Sequence, residues 1–422
     1  MIAFSSPPSP ILVVGGGPAG ATAARTLAAA GLPVRLLERA RTYPRNKPCG
    51  GGISMRAIVR FPYLASALPR ITTHELRRLY LEGADGTSTV IESDEPAAFT
   101  IRRVEFDALL VSLAAEAGAE IVTGVEIVQA AQDDREVTLV ARDGQTFRAP
   151  LVIAADGVHS VIARRLGLNP GWPATSVALD MMEETPRDRL RDIDPSALWV
   201  SYGYKADTAD NGTRNAEGYA YIFPKRDHVN IGIGYVLDYF RRRVDAPPYD
   251  LQHAFVGDLR RRGIVAGESS RAHFTPFIIP IGGPLRRPAG GRVLLTGDAG
   301  GFVNAFTAEG IYYAMVSADL AAKAAIASAS NPRAAAARYR RACDHEIGSE
   351  LRDSVLIQRY LFANPRRIGR AIGGANRERA LTRLALDLVV GRRSYRDVRR
   401  RMLARSPGLL ARMVMQMLAT NE

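Results

Sequence analysis

The sequence predicts an α/β fold in three parts: a Rossmann-like domain, a domain built on an antiparallel sheet, and a helical C-terminal region. A glycine-rich turn at residues 15–20 joins a short apolar run to an Ala-rich stretch, which is the pattern of a β-α-β unit. Residues from about 171 to 280 alternate apolar and polar side chains between turn residues, as antiparallel strands do. Beyond residue 309 the apolar residues recur at helical spacing.

The Rossmann-like part begins with a strand at Ile11–Val14, a helix opened by Pro18 that runs to Ala30, and a second strand at Val34–Leu37. The connections between these elements are short, as a β-α-β unit requires. The elements predicted next are a helix at Arg103–Gly118, a strand at Glu120–Val122, a hairpin at Glu136–Arg148 and a strand at Leu151–Ala154.

In the antiparallel part the clearest strands are Gly218–Pro224 and His228–Tyr235, which a turn at residues 225–227 connects. Val293–Thr296 returns to the pattern of a buried parallel strand and runs into a helix predicted from Glu309. We therefore predict a discontinuous first domain (residues 1–78, 101–169 and 281–330), a second domain (79–100 and 170–280) and a C-terminal helical region (331–422).

The chain has 422 residues, of which 47% are hydrophobic and 23% charged, the balance of a globular protein with two or three domains. Its two cysteines, Cys49 and Cys343, form no CxxC pair and its six histidines are scattered, so the sequence predicts neither a disulfide framework nor a metal site. It has neither the pattern of a secretion signal nor a run of about 18 apolar residues that would span a membrane. We expect a cytoplasmic protein.

The formal charge of +13 is concentrated at one end of the chain. Residues 331–422 contain 20 arginines and eight acidic residues, which leaves the rest of the chain nearly neutral. This C-terminal region carries no nucleic-acid-binding motif, so we expect no nucleic-acid partner.

The end of the chain predicts a basic amphipathic helix. Five apolar residues share one helical face, and arginines lie nearby. Such a stripe more often packs into the core, and peripheral contact of the basic region with the inner face of a membrane is the other interpretation. The apolar residues are Leu410, Met413, Val414, Met417 and Leu418, and the arginines are Arg399, Arg400, Arg401, Arg405 and Arg412.

The glycine-rich turn carries the first chemical motif. Gly15 permits a tight turn, Gly17 lets the backbone approach a pyrophosphate, and Gly20 allows the helix to pack closely on the strand. The helix N-terminus supplies unpaired N–H groups for an anion, and Glu38 is placed to accept a hydrogen bond from a ribose hydroxyl. The motif predicts a dinucleotide site and leaves NAD and FAD as alternatives.

Two later motifs also follow apolar strands. Asp156 and Gly157 come directly after one strand, where an ordinary turn is the alternative interpretation. Asp298 stands at the end of another strand, where a carboxylate can accept a hydrogen bond from a sugar hydroxyl. Gly300 and Gly301 come before a helix and expose backbone N–H groups to a partial negative charge.

The order and spacing of these three motifs resemble those of flavoproteins built like para-hydroxybenzoate hydroxylase. The resemblance implies that the Rossmann-like domain binds FAD, with Asp298 at the ribityl chain and residues 300–301 beside the flavin ring. Residues 103–107 match the family's RxxFD position, which places Arg103 near FAD; an ion pair on the helix surface is the alternative role. The implied FAD-binding residues are Gly15, Gly17, Gly20, Glu38, Arg103, Asp156, Gly157, Asp298, Gly300 and Gly301.

A narrower resemblance concerns residues 47–54, with the sequence KPCGGGIS, which resemble the KxCGGG segment of the geranylgeranyl reductase family. Residues 218–224, with the sequence GYAYIFP, are similar to the same family's YxWxFP motif, and Tyr221 stands where tryptophan is usual. Residues 302–304 and 309–311 fit the late segment of that family.

This second resemblance implies a prenyl substrate, with Cys49 as a catalytic residue at the reacting end of the pocket. A prenyl chain needs an apolar tunnel that ends at the flavin, and an aromatic strand can line one. The alternatives are ordinary sheet packing for the aromatic residues and a small buried side chain for Cys49. The implied substrate-binding residues are Gly50, Gly51, Tyr219, Tyr221, Phe223 and Pro224.

The function expected from these resemblances is an FAD-dependent reductase that saturates carbon-carbon double bonds of a geranylgeranyl-type isoprenoid by hydride transfer from reduced flavin. The external donor is left open between NADPH and reduced ferredoxin, the second of which is a protein partner. A flavin-dependent monooxygenase or halogenase of the same architecture is the alternative enzyme, and the CGGG segment argues against it. A flavin-containing module that binds nucleic acid or membrane through its Arg-rich tail is the alternative from another class.

Overall fold

The computed structural model of the chain describes residues 9–47, 49–204, 217–244 and 246–377, and the single positions 387, 393, 394, 397, 400 and 401. Within these residues parallel and antiparallel sheets combine with helices, which confirms the predicted α/β class. The helical C-terminal region is described continuously as far as Arg377. The apolar stripe predicted at residues 410–418 lies outside the described residues.

A six-stranded sheet forms the centre of the Rossmann-like part. Strand Ile11–Val14 pairs in parallel with a neighbour on each side, as the β-α-β pattern predicts. Five strands run parallel, and the short edge strand runs antiparallel to its neighbour. The order across the sheet is Ala289–Gly290, Val293–Leu295, Val152–Ala154, Ile11–Val14, Val34–Glu38 and Glu120–Thr123.

Small side chains let three helices pack closely on one face of this sheet. Helix Pro18–Ala29 begins with a proline, which suits the first turn because an N–H there has no partner within the helix. This helix packs against Arg103–Glu116 and Ile311–Ile326. Ala21 and Ala23 are fully buried in the resulting core.

A three-stranded antiparallel sheet covers the other face. Leu12, Val14 and Leu37 point to this side and join its apolar cluster, because successive residues of a strand point to opposite faces. The covering layer consists of strands Ile127–Gln132, Val137–Ala141 and Thr146–Ala149 and the short helix Val161–Arg165.

A seven-stranded, largely antiparallel sheet forms the second part of the fold. Strand Gly218–Pro224, called here the aromatic strand, has its predicted bounds and pairs with His228–Val236 through a tight turn. The pair Ala197–Tyr202 and Arg78–Glu82 is parallel. The order across the sheet is Phe274–Pro280, Val177–Pro186, His228–Val236, Gly218–Pro224, Ala197–Tyr202, Arg78–Glu82 and Ser88–Glu92.

Alternation along the aromatic strand gives this sheet two different faces. Ala220 and Ile222 are buried in an apolar cluster with residues of helix Pro248–Arg261. The three aromatic residues of the strand point the other way, because side chains alternate between the faces of a sheet. The second face therefore presents rings toward the Rossmann-like part.

Two small sheets and the remaining helices complete the described fold. Strands Gly52–Ser54, Ala98–Ile101 and Thr73–Leu76 form one small sheet, and Leu190–Arg191 pairs with Ala266–Gly267 in the other. The remaining helices, several of a single turn, are Met55–Arg60, Tyr63–Ala67, Leu68–Arg70, Ala174–Ser176, Leu237–Tyr239, Phe240–Val244, Arg271–His273, Gly297–Gly300, Ala334–Cys343, Asp344–Gly348, Ser349–Phe362 and Pro365–Arg377.

Two details differ from the sequence-based expectations. The helix predicted from Glu309 begins at Ile311, because Ala308 adopts a φ of 55°, in the left-handed region, and so interrupts any regular helix there. Strand Ala98–Ile101 crosses the predicted domain boundary at residue 100 and pairs within the small sheet. The domain boundaries themselves stay a prediction.

Candidate functional site

The glycine-rich turn leaves no room for side chains at two of its glycines. Gly15 has a φ of 100°, and a Cβ there would overlap the carbonyl oxygen of Ala155. A Cβ on Gly20 would overlap the carbonyl oxygen of Gly15. The helix therefore approaches the strand as closely as a dinucleotide-binding turn requires.

Two arginines bound the space above Gly17. Apart from its chain neighbours, the described atoms within 4 Å of a Cβ on Gly17 are Arg45 Nη2 at 3.3 Å and Arg103 Nη2 at 3.9 Å. Arg103 donates to both carboxylate oxygens of Asp107, at 2.6 and 2.9 Å, and Arg45 Nη2 donates to Asp107 Oδ2 at 2.7 Å. Two cations share one buried carboxylate, so positive charge remains beside the N-terminus of helix Pro18–Ala29.

Glu38 lies buried at the end of the second strand, where backbone N–H groups hold it against the turn. Gly16 N donates to Glu38 Oε2 at 2.6 Å, and Ala40 N donates to Oε1 at 2.8 Å. The Tyr43 hydroxyl donates to the carbonyl oxygen of Gly16 at 2.7 Å. Each carboxylate oxygen keeps a lone pair that can accept from a sugar hydroxyl.

Two buried polar atoms near the turn have no hydrogen-bond partner within the described chain. They are Arg45 Nε, a donor, and Asp156 Oδ1, an acceptor. Buried polar atoms are normally paired, and a ligand that offers both acceptors and donors would supply the partners of these two atoms. Together with the cationic space above Gly17, these atoms fit the phosphates and hydroxyls of a dinucleotide.

Asp156 and Gly157 form a turn between a strand and a short helix. Asp156 Oδ2 accepts from Ile162 N at 3.3 Å, at the start of helix Val161–Arg165, and burial raises the pKa of Asp156. Gly157 has a φ of 83°, which glycine adopts without strain. One oxygen of Asp156 therefore caps a helix, and the other stays free of partners in the described chain.

Asp298 lies on the single helical turn Gly297–Gly300. Gly301, which follows, has a φ of 74°, and a Cβ there would lie 2.5 Å from the carbonyl oxygen of Gly283. A Cβ on Gly300 would lie 2.9 Å from a strand carbonyl oxygen. Both positions require glycine, so the turn presents backbone beside Asp298.

The fold brings Lys47, Cys49, Arg103 and Asp298 together from three separate motifs. Burial, and then the Arg103 cation, lower the pKa of Lys47 to about 8, while Asp298 and Cys49 act in the opposite direction. Lys47 Nζ also lies 3.9 Å from the ring centre of Phe277, which belongs to the seven-stranded sheet. The KxCGGG segment therefore lies between the RxxFD helix, the Asp298 turn and that sheet.

A buried ion pair holds the backbone at Cys49. Lys225, 2% exposed, donates from Nζ to the carbonyl oxygen of Cys49 at 2.7 Å and to Glu184 Oε2 at 2.8 Å. Burial acts to raise the pKa of Glu184, but Lys225 and Arg102 together lower it. Gly51 N donates to Cys49 Sγ at 3.4 Å. Hydrogen bonds therefore orient both the carbonyl group and the thiol of Cys49.

The aromatic strand packs on the glycines that follow Cys49. A Cβ on Gly50 would lie 3.0 Å from the ring of Phe223, and one on Gly52 would lie 3.1 Å from it. The ring centres of Tyr219 and Tyr221 are 5.6 Å apart, and those of Tyr221 and Phe223 are 5.4 Å apart. These distances define a continuous aromatic surface that starts at the glycine segment.

Gly51 and Pro224 have a different environment from the other residues predicted to bind substrate. Gly51 has a φ of 72°, and a Cβ there would overlap the carbonyl oxygen of Ile101. Pro224 is buried, and its carbonyl oxygen accepts from Thr100 Oγ1 at 2.6 Å. Both residues lie against the small sheet that supports the aromatic surface.

The C-terminal helices cover the far end of the aromatic surface. The ring of Tyr202 stacks on Phe306 with centres 4.9 Å apart and tilts against Phe362 at 6.3 Å. Tyr219 packs against this cluster, which also contains Ile368. The aromatic surface therefore runs from the Cys49 segment to the helical region.

Sequence reasoning missed Arg45 and Lys225. Lys225 is one of only four lysines and follows the predicted aromatic motif directly, so its position carried a signal. Arg45 carried none, because arginine is frequent throughout the chain and the partner, Asp107, is 62 residues away.

Comparisons with known proteins agree with this geometry. Residues 9–223 match the model of a family described as FAD binding domain. The chain is 33% identical over 325 residues to the menaquinone reductase of Mycolicibacterium smegmatis, covering 74% of this chain and 75% of that protein. It is 27% identical over 374 residues to Protein FixC of Escherichia coli O157:H7, covering 84% and 86%.

The fold is similar to that of a geranylgeranyl bacteriochlorophyll reductase-like protein of Thermoplasma acidophilum. The TM-score is 0.76 over 93% of this chain and 98% of that one. With 19% sequence identity, this likeness concerns the fold alone.

Proposed function

Since this chain belongs to the FAD binding domain family, as an FAD-dependent oxidoreductase with the architecture of para-hydroxybenzoate hydroxylase, we propose that it saturates carbon-carbon double bonds of an isoprenoid chain. The observation that carries the proposal is the aromatic surface, which packs on the Cys49 glycine segment and extends to the C-terminal helices. A long apolar substrate needs such a surface, because rings along one face exclude water along its length.

The residues that would hold FAD are those of the glycine-rich turn and its neighbours. The helix N-terminus with Arg45 and Arg103 would hold the pyrophosphate, Glu38 a ribose, and Asp298 a hydroxyl of the ribityl chain. When bound, FAD supplies the redox chemistry, since in its reduced form it delivers a hydride to carbon.

The chain's own residues orient the substrate and exclude water. Lys225 fixes the backbone of Cys49 through the buried hydrogen bond that it donates to the carbonyl oxygen of Cys49. The glycine segment therefore keeps one position against Phe223. The menaquinone reductase of 33% identity supports an isoprenoid-bearing substrate, since menaquinone is a quinone with an isoprenoid side chain. The donor to FAD is proposed to be NADPH or reduced ferredoxin.

Anaerobic product analysis tests the proposal. Enzyme that has been reduced chemically beforehand and then mixed with geranylgeranyl diphosphate or menaquinone should yield products with two added hydrogens per saturated bond and no added oxygen. Chemical reduction removes the need for the natural donor. A hydroxylated or halogenated product that forms only with oxygen would contradict the reductase and favour a monooxygenase or halogenase.

Cys49→Ala should slow product formation or change which bonds are reduced, while FAD stays bound. The reason is that Cys49 lies at the glycine segment rather than at the Gly17 turn. Product analysis by mass spectrometry and the visible flavin spectrum measure the two effects. Cys343→Ala is the matched control because Cys343 is buried in the helical core, and it should keep the wild-type product pattern. An unchanged rate and pattern in Cys49→Ala would leave that cysteine a packing role.

Peripheral membrane contact through the basic C-terminal region is part of the proposal. None of the described helices is long and apolar enough to cross a membrane. Helix Pro365–Arg377 buries Ile368 and Ile372 and leaves Arg366 and Arg370 exposed, so its outer face is cationic. Each such residue near an anionic surface contributes about 1 kcal/mol of binding free energy.

The protein should therefore float with vesicles that contain anionic lipid, and increasing salt should release it. Replacing Arg366 and Arg370 with glutamine should weaken flotation more than the same change at Arg142 and Arg148, exposed arginines of the Rossmann-like part. Equal binding to neutral and anionic vesicles would contradict electrostatic contact.

A further inference from the structure

A buried carboxylic acid lies under the aromatic surface. Asp180, on strand Val177–Pro186, is 4% exposed. The hydroxyl of Tyr221 lies 3.2 Å from Asp180 Oδ1 and 3.1 Å from Oδ2. Neither FAD binding nor the packing of the sheet requires a carboxylic acid here, and an apolar side chain would fill this position at no desolvation cost.

The neighbouring strand is shaped to accommodate this pair. In Ile231-Gly232-Ile233-Gly234, the isoleucines are buried in the apolar cluster on one face of the sheet, and the glycines lie on the other face. A Cβ on Gly232 would lie 2.5 Å from the Tyr221 hydroxyl oxygen, and one on Gly234 would lie 3.4 Å from Asp180 Oδ1. The two glycines therefore leave the space that Asp180 and Tyr221 occupy.

The ionisable groups around Asp180 are few. Tyr219 and Tyr221 face it from the aromatic strand, and both tyrosines also lie within electrostatic reach of Cys49. Phe277 is the strand partner of Asp180, and Lys47 lies over its ring rather than against the carboxylate. Within the described residues, burial and the hydrogen bond from Tyr221 are the influences on the Asp180 carboxyl, and no cation is among them.

We propose that Asp180 and Tyr221 supply the proton that completes the saturation of the double bond. This role rests on the proposed function and assigns the proton source of the same reaction. Tyr221 is the catalytic residue, because its ring lies on the surface proposed to contact substrate, and Asp180 is a positioning residue that replenishes its proton.

The step balances in atoms and electrons. As the carbon-carbon π bond breaks, one carbon gains a hydride, with its electron pair, from reduced FAD, and the other gains the hydroxyl proton of Tyr221. Tyr221 takes the proton of Asp180 in the same step. The products are the saturated chain, oxidised FAD and the Asp180 carboxylate, which water reprotonates.

The electrostatics of the pair suit this role. Burial raises the pKa of Asp180 to about 7, and the bond from Tyr221 partly opposes that rise. A carboxyl with this pKa is protonated in about half of the molecules at neutral pH and exchanges its proton readily, which is the condition for efficient general acid catalysis. Burial, and then the nearby Asp180, raise the pKa of Tyr221 well above its usual value, so its hydroxyl stays protonated between turnovers.

Tyr221 is also the position where tryptophan is usual in the geranylgeranyl reductase motif. An indole N–H can donate a hydrogen bond but has no lone pair to take up a proton, whereas a phenol both donates and accepts. The proton relay is therefore a property of this chain's tyrosine together with Asp180.

The first test needs no turnover. In oxidised, FAD-loaded enzyme, the protonated carboxyl of Asp180 should give an infrared carbonyl band, which is identified by its absence from Asp180→Asn. In the wild-type protein this band should disappear as the pH rises through about 7. In Tyr221→Phe this transition should move to higher pH, because the bond from Tyr221 lowers the pKa of Asp180. The transition should stay near its wild-type position in Tyr219→Phe, the matched control, which leaves the bond from Tyr221 in place. A band that Asp180→Asn does not remove, or that is lost already near pH 4, would overturn the proposal.

The second test measures single-turnover reduction of the isoprenoid by pre-reduced enzyme at several pH values. Wild-type rates should fall as the pH rises through about 7, because the Asp180 proton is lost. Asp180→Asn and Tyr221→Phe should lower the rate about 100-fold or more, with FAD affinity unchanged, and Asp180→Asn should remove the inflection. The inflection should persist in Tyr219→Phe.

The outcomes separate this proposal from the proposed function. Reduction by Asp180→Asn at the wild-type rate, with the wild-type pH profile, would overturn the proton relay and leave the reductase in place. Failure of wild-type enzyme to reduce any isoprenoid would overturn both, even if the infrared band titrates as expected.

Discussion

A Gly17→Val variant is expected to lose FAD while it keeps its fold. Apart from its chain neighbours, the described atoms within 4 Å of a Cβ at this position are guanidinium nitrogens of Arg45 and Arg103, so the Cβ contacts side chains and no backbone of another described segment. The side chain would occupy the space in front of the helix N-terminus where we place the pyrophosphate. Loss of two charge-assisted hydrogen bonds, at about 1.5–3 kcal/mol each, weakens binding by about 100-fold or more.

Quenching of flavin fluorescence by apoprotein measures this loss, and circular dichroism checks the fold. Gly257→Val is the matched control, because Gly257 lies in helix Pro248–Arg261 and, apart from its chain neighbours and the backbone of its own helix, the nearest described atom to a Cβ there is Arg261 Nη1 at 3.8 Å. It should bind FAD like the wild-type protein. If Gly17→Val binds FAD with wild-type affinity, the pyrophosphate does not lie above this turn.

Arg56→Met should lower the free energy of unfolding by about 3–5 kcal/mol, because it leaves a buried carboxylate without its cation. Arg56 donates to both oxygens of Glu350, at 2.6 and 3.1 Å, and the side chains are 13% and 5% exposed. Burial acts to lower the pKa of Arg56, but the bond to Glu350 raises it above its usual value, so the pair stays ionised. The Tyr313 hydroxyl also donates to Glu350 at 2.6 Å.

This ion pair connects the helix that follows the Cys49 segment with helix Ser349–Phe362 of the C-terminal region. Unfolding in urea measures the effect. Arg70→Met is the control, since Arg70 makes an exposed pair with Glu116, and its replacement should lower the free energy of unfolding far less. Adding Glu350→Leu to Arg56→Met should restore part of the stability, because the unpaired charge is then gone. Equal losses in Arg56→Met and Arg70→Met would contradict the role assigned to the buried pair.

Features that depend on neighbours in the chain were predictable. The bounds of the aromatic strand follow from alternation between Gly218 and Pro224, and strand geometry imposes that alternation directly. The strand, turn and helix around Gly15 and Gly17 are contiguous, so their pattern is visible in one short stretch. The start of the helix at Ile311 was not predictable to the residue, because the positive φ of Ala308 depends on its surroundings.

Contacts between distant segments were not predictable. Lys225 and Cys49 are 176 residues apart, and Tyr221 and Asp180 are 41 apart. A buried aspartate in an antiparallel strand has the same alternating pattern as an exposed one, so the sequence carries no sign of the bond to Tyr221. Arg45 is equally unmarked among the many arginines.

By itself the sequence determined the α/β class and the glycine-rich turn between strand and helix, because both depend on local backbone geometry and on glycine at particular positions. Only the tertiary structure decided which charges face the turn, what holds Cys49 in place and which acid lies beneath the aromatic surface. Burial sets the pKa of such groups and makes their hydrogen bonds strong, and burial exists only once the sheets and helices have packed.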